Sequence, residues 1–334
     1  MAAAGNSALL EVRDLRIEFP TRRGTLVAVD GVSFDVAEGE VLGVVGESGA
    51  GKSLTGASII GLLEPPGRIA EGQVRLAGRR IDNLPYEEMR HVRGREIGMV
   101  FQDPLTSLNP LYSVGRQLIE TIQTHSDLSE QAARNRAVEL LAEVGIPSAK
   151  VRIDQYPHQF SGGMRQRVVI ALALCVNPRL IIADEPTTAL DVSIQAQIIT
   201  LLKRLCREHG AAVMLITHDM GVIAETANRV AVMYAGRLAE IGPVDDVIKR
   251  AKHPYTHGLM GSIPKLGHAT ERLTQIEGSM PRLTEIPSGC AFNPRCPKAF
   301  DRCSAERPDL MAVERSEVAC WLYDSAMERT ASHG

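Results

Sequence analysis

Between Gly46 and Ser53 the chain reads Gly-Glu-Ser-Gly-Ala-Gly-Lys-Ser, a Gly-x4-Gly-Lys-Ser spacing. Such a loop meets a polyphosphate with backbone N–H groups and a helix N-terminus. Gly46, Gly49 and Gly51 let the backbone wrap closely, because they have no Cβ to clash. Lys52 would set a point charge at the β- and γ-phosphates, and the Ser53 hydroxyl would ligate Mg²⁺. A second acidic element follows the apolar run Leu180-Ile-Ile-Ala. Asp184 ends that run, where a carboxylate can hold Mg²⁺ through water, and Glu185 stands beside it. The third group is four thiols, Cys290, Cys296, Cys303 and Cys320, spaced C-x5-C-x6-C-x16-C. That spacing matches neither paired C-x2-C zinc ribbons nor a ferredoxin run, so by itself it says four thiolates and a soft metal.

The elements that must carry these groups read as α/β. Residues 9–45 are rich in strands, with an imperfect alternation over Leu10–Phe19, and Val41–Val45 is a short buried strand feeding the glycine-rich loop. Leu54–Leu63 follows as a helix, stopped by Pro65-Pro66-Gly67. Ser129–Val144 carries apolar residues at Ala133, Ala137, Leu140, Leu141 and Val144, a helical period. Helices are also expected over Ser161–Val176 and Gln195–Arg207, and strands over Leu180–Ala183 and Ala212–Thr217. Strands alternating with helices call for a mostly parallel sheet. After His253-Pro254 prolines recur and the rhythm fades, which predicts a separate, loop-rich extension.

Composition narrows the class. The 334 residues suggest about two domains, and 44% hydrophobic content is enough for a core. A net charge of −3 gives no nucleic-acid footprint. The densest apolar stretch, Val168–Val176, is broken by Asn177-Pro178, too short for a membrane span. The start lacks the basic and apolar regions of a secretory signal. A cytosolic chain that docks on any membrane it serves is expected. In a reducing compartment the C-terminal thiols favour a metal centre over disulfides, while Cys175 and Cys206 read as small core residues.

The order of phosphate loop, then Ser161-Gly162-Gly163 in Phe160-Ser-Gly-Gly-Met-Arg-Gln-Arg167, then Asp184-Glu185, resembles the ATP-binding cassette (ABC) family. The resemblance implies an α/β fold: an ABC-type P-loop nucleotidase core with a mostly parallel sheet, antiparallel strands and an inserted helical subdomain. Residues 1–252 would form the nucleotide-binding domain, with the helical subdomain at about 103–176, and residues 253–334 the extension. It implies an ATPase using ATP and Mg²⁺. Glu185 becomes the general base, His218 in Leu215-Ile-Thr-His-Asp219 the switch histidine, and Gln102 the glutamine that senses Mg²⁺ and the attacking water. Phe19 would stack on adenine, and Glu47, Ser48, Ala50 and Leu54 complete the nucleotide-contacting segment. Ser161, Gly162, Gly163 and Met164, with Asp191, would act across an interface on a partner's ATP. Met164 and Phe160 depart from the usual Gln and Leu.

Further stretches resemble the ATPase subunits of bacterial dipeptide/oligopeptide importers: Phe101–Pro110, Tyr156-Pro-His-Gln159, Ala183–Val192, Ile194–Ile198, His253-Pro-Tyr-Thr256 and Gly289–Cys296. This resemblance implies a D-type subunit paired with a homologous second ATPase. The pair would dock on two membrane permeases fed by a periplasmic binding protein, at the cytoplasmic face of the inner membrane. It also implies a [4Fe–4S] cluster on Cys290, Cys296, Cys303 and Cys320, with Phe292, Phe300 and Trp321 as an apolar shell; a structural zinc and four unliganded thiols are the alternatives. Other readings are the same machine with another cargo (nickel, glutathione or antimicrobial peptides) and a soluble, non-transport ABC ATPase.

Overall fold

The computed structural model describes residues 8–188, 190–261 and 276–324. The chain divides into two units, one of Met1–Leu10, Asp35–Val41 and Arg75–Ile216, the other of Glu11–Phe34, Leu42–Val74 and Thr217–Gly334.

In the first unit three parallel strands, Ile97–Val100, Leu180–Asp184 and Ala212–Ile216, lie side by side with Leu180–Asp184 in the middle. Every residue of Leu180–Asp184 and Ala212–Ile216 is buried. That is the near-continuous apolar run of parallel strands covered on both faces. The helices Val114–His125, Glu130–Glu143 and Gly162–Leu174 fall within the stretch expected to be helical. Each starts at a serine. The Oγ atoms of Ser113, Ser129 and Ser161 accept hydrogen bonds from the backbone N–H of Arg116, Ala132 and Met164, which satisfies one of the orphan donors of each first turn. Ala133, Ala137, Leu140, Leu141 and Val144, picked by period, are all buried.

In the second unit the strand Val41–Val45 runs parallel to Arg229–Tyr234, which pairs antiparallel with Arg237–Pro243. A second sheet sets Ala8–Thr21 between Gly24–Ala37 and Arg68–Leu76. The imperfect alternation of its middle strand has a cause. Leu10 and Val12 are buried, then Leu15 and Ile17, and the phase shifts by one at Asp14. Asp14 sits at φ 48 with its N–H on Ser33 Oγ at 2.8 Å. One residue in the left-handed region absorbs the extra step, as a bulge does.

Two differences from the sequence reading stand out. The helix after the glycine-rich loop spans Lys52–Ile59 rather than reaching Leu63, since Gly61 at φ 65 closes it first. The extension beyond residue 253 is loop-rich, yet it also supplies strands. Ser316–Val318 pairs antiparallel with Arg237–Pro243, and Met311–Val313 pairs with Ser316–Val318. Among the described residues no helix is long and apolar enough to cross a membrane.

Candidate functional site

The second unit holds the glycine-rich loop. It leaves the buried strand Val41–Val45 and enters the helix Lys52–Ile59, whose first N–H groups have no intrahelical acceptor. A Cβ on Gly46 would stand 2.2 Å from the Met233 carbonyl oxygen, so no other residue fits there without moving backbone. Gly51, at φ 99, turns the chain into the helix. The Lys52 side chain is buried, and its ammonium donates to the carbonyls of Gly46 at 2.9 Å and Glu47 at 3.0 Å. The loop is therefore folded around a cation, with the amide edge left for an anion. Ser48, Gly49 and Ser53 are exposed, Ala50 and Gly51 are buried, and Leu54 is half-buried.

Contacts that the motif did not announce hold this loop from outside. The Glu47 N–H donates to Tyr255 Oη at 2.9 Å. Both Glu47 carboxylate oxygens accept from Arg295, at 2.8 and 3.0 Å. Glu47, expected at the nucleotide, thus turns its carboxylate to Arg295. That pair keeps the guanidinium charged well above its ordinary range, the hydrogen bond from Glu47 being the largest cause. The Tyr255 N–H donates to His253 Nδ1 at 3.0 Å, and the residues just before it are held by Glu240, a fully buried carboxylate that accepts the N–H groups of Lys252 and His253. Burial raises the Glu240 pKa, and these N–H groups oppose the shift.

His218 is exposed just past the strand Ala212–Ile216. Its neighbours pin the backbone: Thr217 N–H donates to the Val44 carbonyl, and Asp219 caps the following turn through Gly221 and Val222 N–H. Phe19 lies half-buried within the strand Ala8–Thr21, with Gly67 against its ring.

The first unit holds the acidic pair. Asp184 is the buried last residue of its strand. Glu185 takes φ 44, which swings it off the strand line while its N–H keeps a bond to the Ile216 carbonyl at 2.9 Å. Glu185 Oε2 accepts from Gln102 Nε2 at 3.1 Å and from Thr188 Oγ1 at 2.7 Å. Register explains the meeting. Val100 pairs with Ala183 on adjacent parallel strands, so Gln102 and Glu185, each two residues further on, emerge side by side. A carboxylate oriented by an amide and a hydroxyl has the fixed direction that a general base needs.

Also in the first unit, Ser161, Gly162, Gly163, Met164, Leu190 and Asp191 line one open hollow of about 370 Å³. A Cβ on Gly163 would stand 2.9 Å from Ile194 Cγ2, so the glycine lets the two helix starts approach. Residues 30 apart in sequence thereby share a surface, as the resemblance requires. Arg167, which the sequence reading did not select, lines the same hollow and donates to the Val144 carbonyl at 2.6 Å.

The four C-terminal thiols line one small cavity with His253, Phe292, Trp321 and Leu322, and Phe300 is not among its walls. Free space there is about 10 Å³. Among the described residues no three His, Cys, Asp or Glu side chains are placed to hold a metal ion. Burial pushes the Cys320 thiol up to about 11, and burial likewise raises Cys290 and Cys296. Backbone N–H groups oppose this: Phe292 and Asn293 bond Cys290, Lys298 bonds Cys296 and Leu322 bonds Cys320. Four thiols around one cavity supply the donor types of a four-thiolate group, while the cavity as it stands is too small to contain one.

Residues 29–188 match the family model of the ABC transporter, and residues 239–303 match that of the oligopeptide/dipeptide transporter C-terminal region. The chain is 48% identical over 328 residues to the dipeptide transport ATP-binding protein DppD of Bacillus subtilis, covering 98% of each. It is 50% identical to the oligopeptide transport ATP-binding protein OppD of the same species, covering 94% of this chain and 88% of that one. It is 46% identical to DppD of Escherichia coli, covering 94% and 96%. Among solved structures it is similar to the dimeric cassette MJ0796 bound to ADP and phosphate, with a TM-score of 0.64 and 29% identity over 70% of this chain and 98% of that one.

Proposed function

The chain belongs to the ABC transporter family, in its oligopeptide/dipeptide branch, and we propose that it hydrolyses ATP to power import of di- and oligopeptides through a membrane transporter. The observation that carries the cargo class is the match of residues 239–303 to the oligopeptide/dipeptide C-terminal region, joined to near-full-length similarity to peptide-transport ATPases.

The role proposed for each residue follows the family resemblance, and its chemistry permits it. The loop amides from Gly46 to Ser53 and the Lys52 ammonium take the β- and γ-phosphates. Ser53 ligates Mg²⁺, Asp184 holds it through water, and Gln102 senses both metal and water. Glu185 accepts the proton of the attacking water, and His218 contacts the γ-phosphate. Phe19 stacks on adenine. Ser161, Gly162, Gly163 and Met164 with Asp191 present N–H groups and a hydroxyl to ATP held by a second cassette, a homologous ATPase subunit. The dimeric state of the MJ0796 cassette supports that pairing. The pair docks on two permeases at the cytoplasmic face of the inner membrane. An importer reconstituted with its permeases that takes up labelled dipeptide with ATP, and fails to do so when Glu185 is replaced by Gln, meets the expectation. Vigorous ATP hydrolysis by a strictly monomeric chain would refute the pairing.

Cys290, Cys296, Cys303 and Cys320 would hold a [4Fe–4S] cluster, which would staple a proline-broken segment poor in core residues and take no part in hydrolysis. The set of four thiols around one cavity supports this reading. Metal analysis of anaerobically purified protein decides it: four irons with sulfide support the cluster, and zinc or no metal overturns it.

A further inference from the structure

We propose that Arg295 is a positioning residue for the phosphate loop, through which the cysteine-bearing extension sets how tightly the loop holds a nucleotide. This deepens the ATPase reading and rests on it.

The guanidinium is built into both partners. On one side it grips both oxygens of Glu47, the second residue of the loop. On the other, Nε donates to the Glu277 carbonyl at 2.9 Å and Nη2 to the Gly278 carbonyl at 3.3 Å. Nη1 reaches Tyr234 Oη at 3.3 Å. Only 7% of the Arg295 side chain is exposed. A planar fork using donors on all three nitrogens has one orientation, which a lysine cannot copy.

Its place in the chain matters as much. Arg295 ends the short turn Asn293–Arg295 and directly precedes Cys296, whose N–H bonds the Asn293 carbonyl. Five residues before it stands Cys290, whose N–H bonds the Cys303 carbonyl. The backbone carrying Arg295 is therefore flanked by two of the four thiols. Nearby, Met280 stands over the tip of the loop, where a Cβ on Gly49 would lie 3.1 Å from its Cε.

At the loop, the Glu47 residue is held at three points: its N–H by Tyr255, its carbonyl by Lys52 and its carboxylate by Arg295. Lys52 is also the residue aimed at the phosphates. Releasing the carboxylate frees one of the three anchors of a peptide on which the Lys52 ammonium rests. Loop geometry, and with it nucleotide affinity, then follows the order of the segment around Cys290 and Cys296. By linkage the effect is reciprocal, so nucleotide binding orders that segment.

The test is equilibrium binding of ADP with Mg²⁺, and steady-state ATP hydrolysis, by the full chain and by Arg295→Ala, Arg295→Lys, Glu47→Gln and the Arg295→Ala/Glu47→Gln double variant. The expected result is a rise of about tenfold or more in Kd and KM for Arg295→Ala and Glu47→Gln, the loss of a charge-assisted contact. The kcat should stay within about threefold, since the contact acts before chemistry. Arg295→Lys should fall between, and the double variant should be no weaker than the weaker single. Amide exchange around Cys290–Cys296 should slow when ADP binds the wild type. Should Arg295→Ala fail to fold, Glu47→Gln acts from the loop end and carries the test alone. Unchanged ADP affinity in a folded Glu47→Gln, multiplicative losses in the double variant, or a lowered melting temperature with KM unmoved overturns the proposal. A wild-type chain that binds no ADP overturns the ATPase reading, and the coupling with it.

Discussion

Replacing Glu185 by Gln removes a base and almost nothing else. The oxygen that accepts from Gln102 at 3.1 Å and Thr188 at 2.7 Å persists in the amide, so the turn and its register partner stay in place. What disappears is the ability to take a proton from the attacking water. General-base catalysis contributes about 10²–10⁴-fold, or roughly 2.7–5.4 kcal/mol of barrier. On the proposed assignment ATP binding rests on the loop amides and Lys52, which the substitution leaves unaltered. The expected result is kcat lower by about 10²–10⁴ with the nucleotide Kd within about threefold. Phosphate release under saturating ATP and titration of a fluorescent nucleotide read the two quantities separately. Thr188→Ala gives the scale for orientation alone. It deletes the hydroxyl donor at 2.7 Å to a half-exposed carboxylate, a net effect of about 1.5 kcal/mol, or roughly 13-fold in rate. If Glu185→Gln lost no more turnover than Thr188→Ala, the carboxylate would be an orienting group, and the assignment of the base would be wrong.

Three further outcomes follow from particular distances and burials. Gly46→Ala places a Cβ 2.2 Å from the Met233 carbonyl oxygen, so the loop must shift, and ADP affinity measured by calorimetry should fall by at least about 100-fold. His125 lies partly buried beside Arg90, His91 and Arg95, and burial first, then these cations, depresses its pKa. Below its unfolded pKa near 6.5 the unfolded chain binds the proton more readily. Stability should therefore fall as pH drops from about 6.5 through the folded pKa, and His125→Gln should flatten that part of the urea-denaturation profile. Cys303→Ser should reduce iron content and raise proteolysis of residues 289–324, with nucleotide binding weakened in step; loss of iron with wild-type protease resistance would contradict a stapling role.

What the sequence made legible was chemistry that lives in short, contiguous patterns. A phosphate loop works through backbone N–H groups, so glycines at fixed offsets and one Lys-Ser pair suffice to mark it, and the structure bends Gly46 and Gly51 accordingly. The helical period of Ala133, Ala137, Leu140 and Leu141 likewise marks a face that is buried. Gln102 was a weaker signal. A lone glutamine has no signature, and its bond to Glu185 depends on the register between two parallel strands, which no local pattern states.

Arg295 lay beyond reach for a sharper reason. It is 248 residues from Glu47, in a segment whose cysteines drew the eye to metal chemistry. A charged residue beside a proline in a loop-rich stretch reads as solvated surface. Yet burying a guanidinium at 7% exposure is costly unless nearly every donor finds an acceptor. The segment meets that demand with three carbonyl oxygens from residues 276–278, a tyrosine hydroxyl and the Glu47 carboxylate. A residue needed only to staple the extension would stop at the extension's own carbonyls. That Arg295 bonds those carbonyls and also places its paired, charge-assisted bonds on the phosphate loop is the reason to measure ADP affinity, and not stability alone, when it is changed.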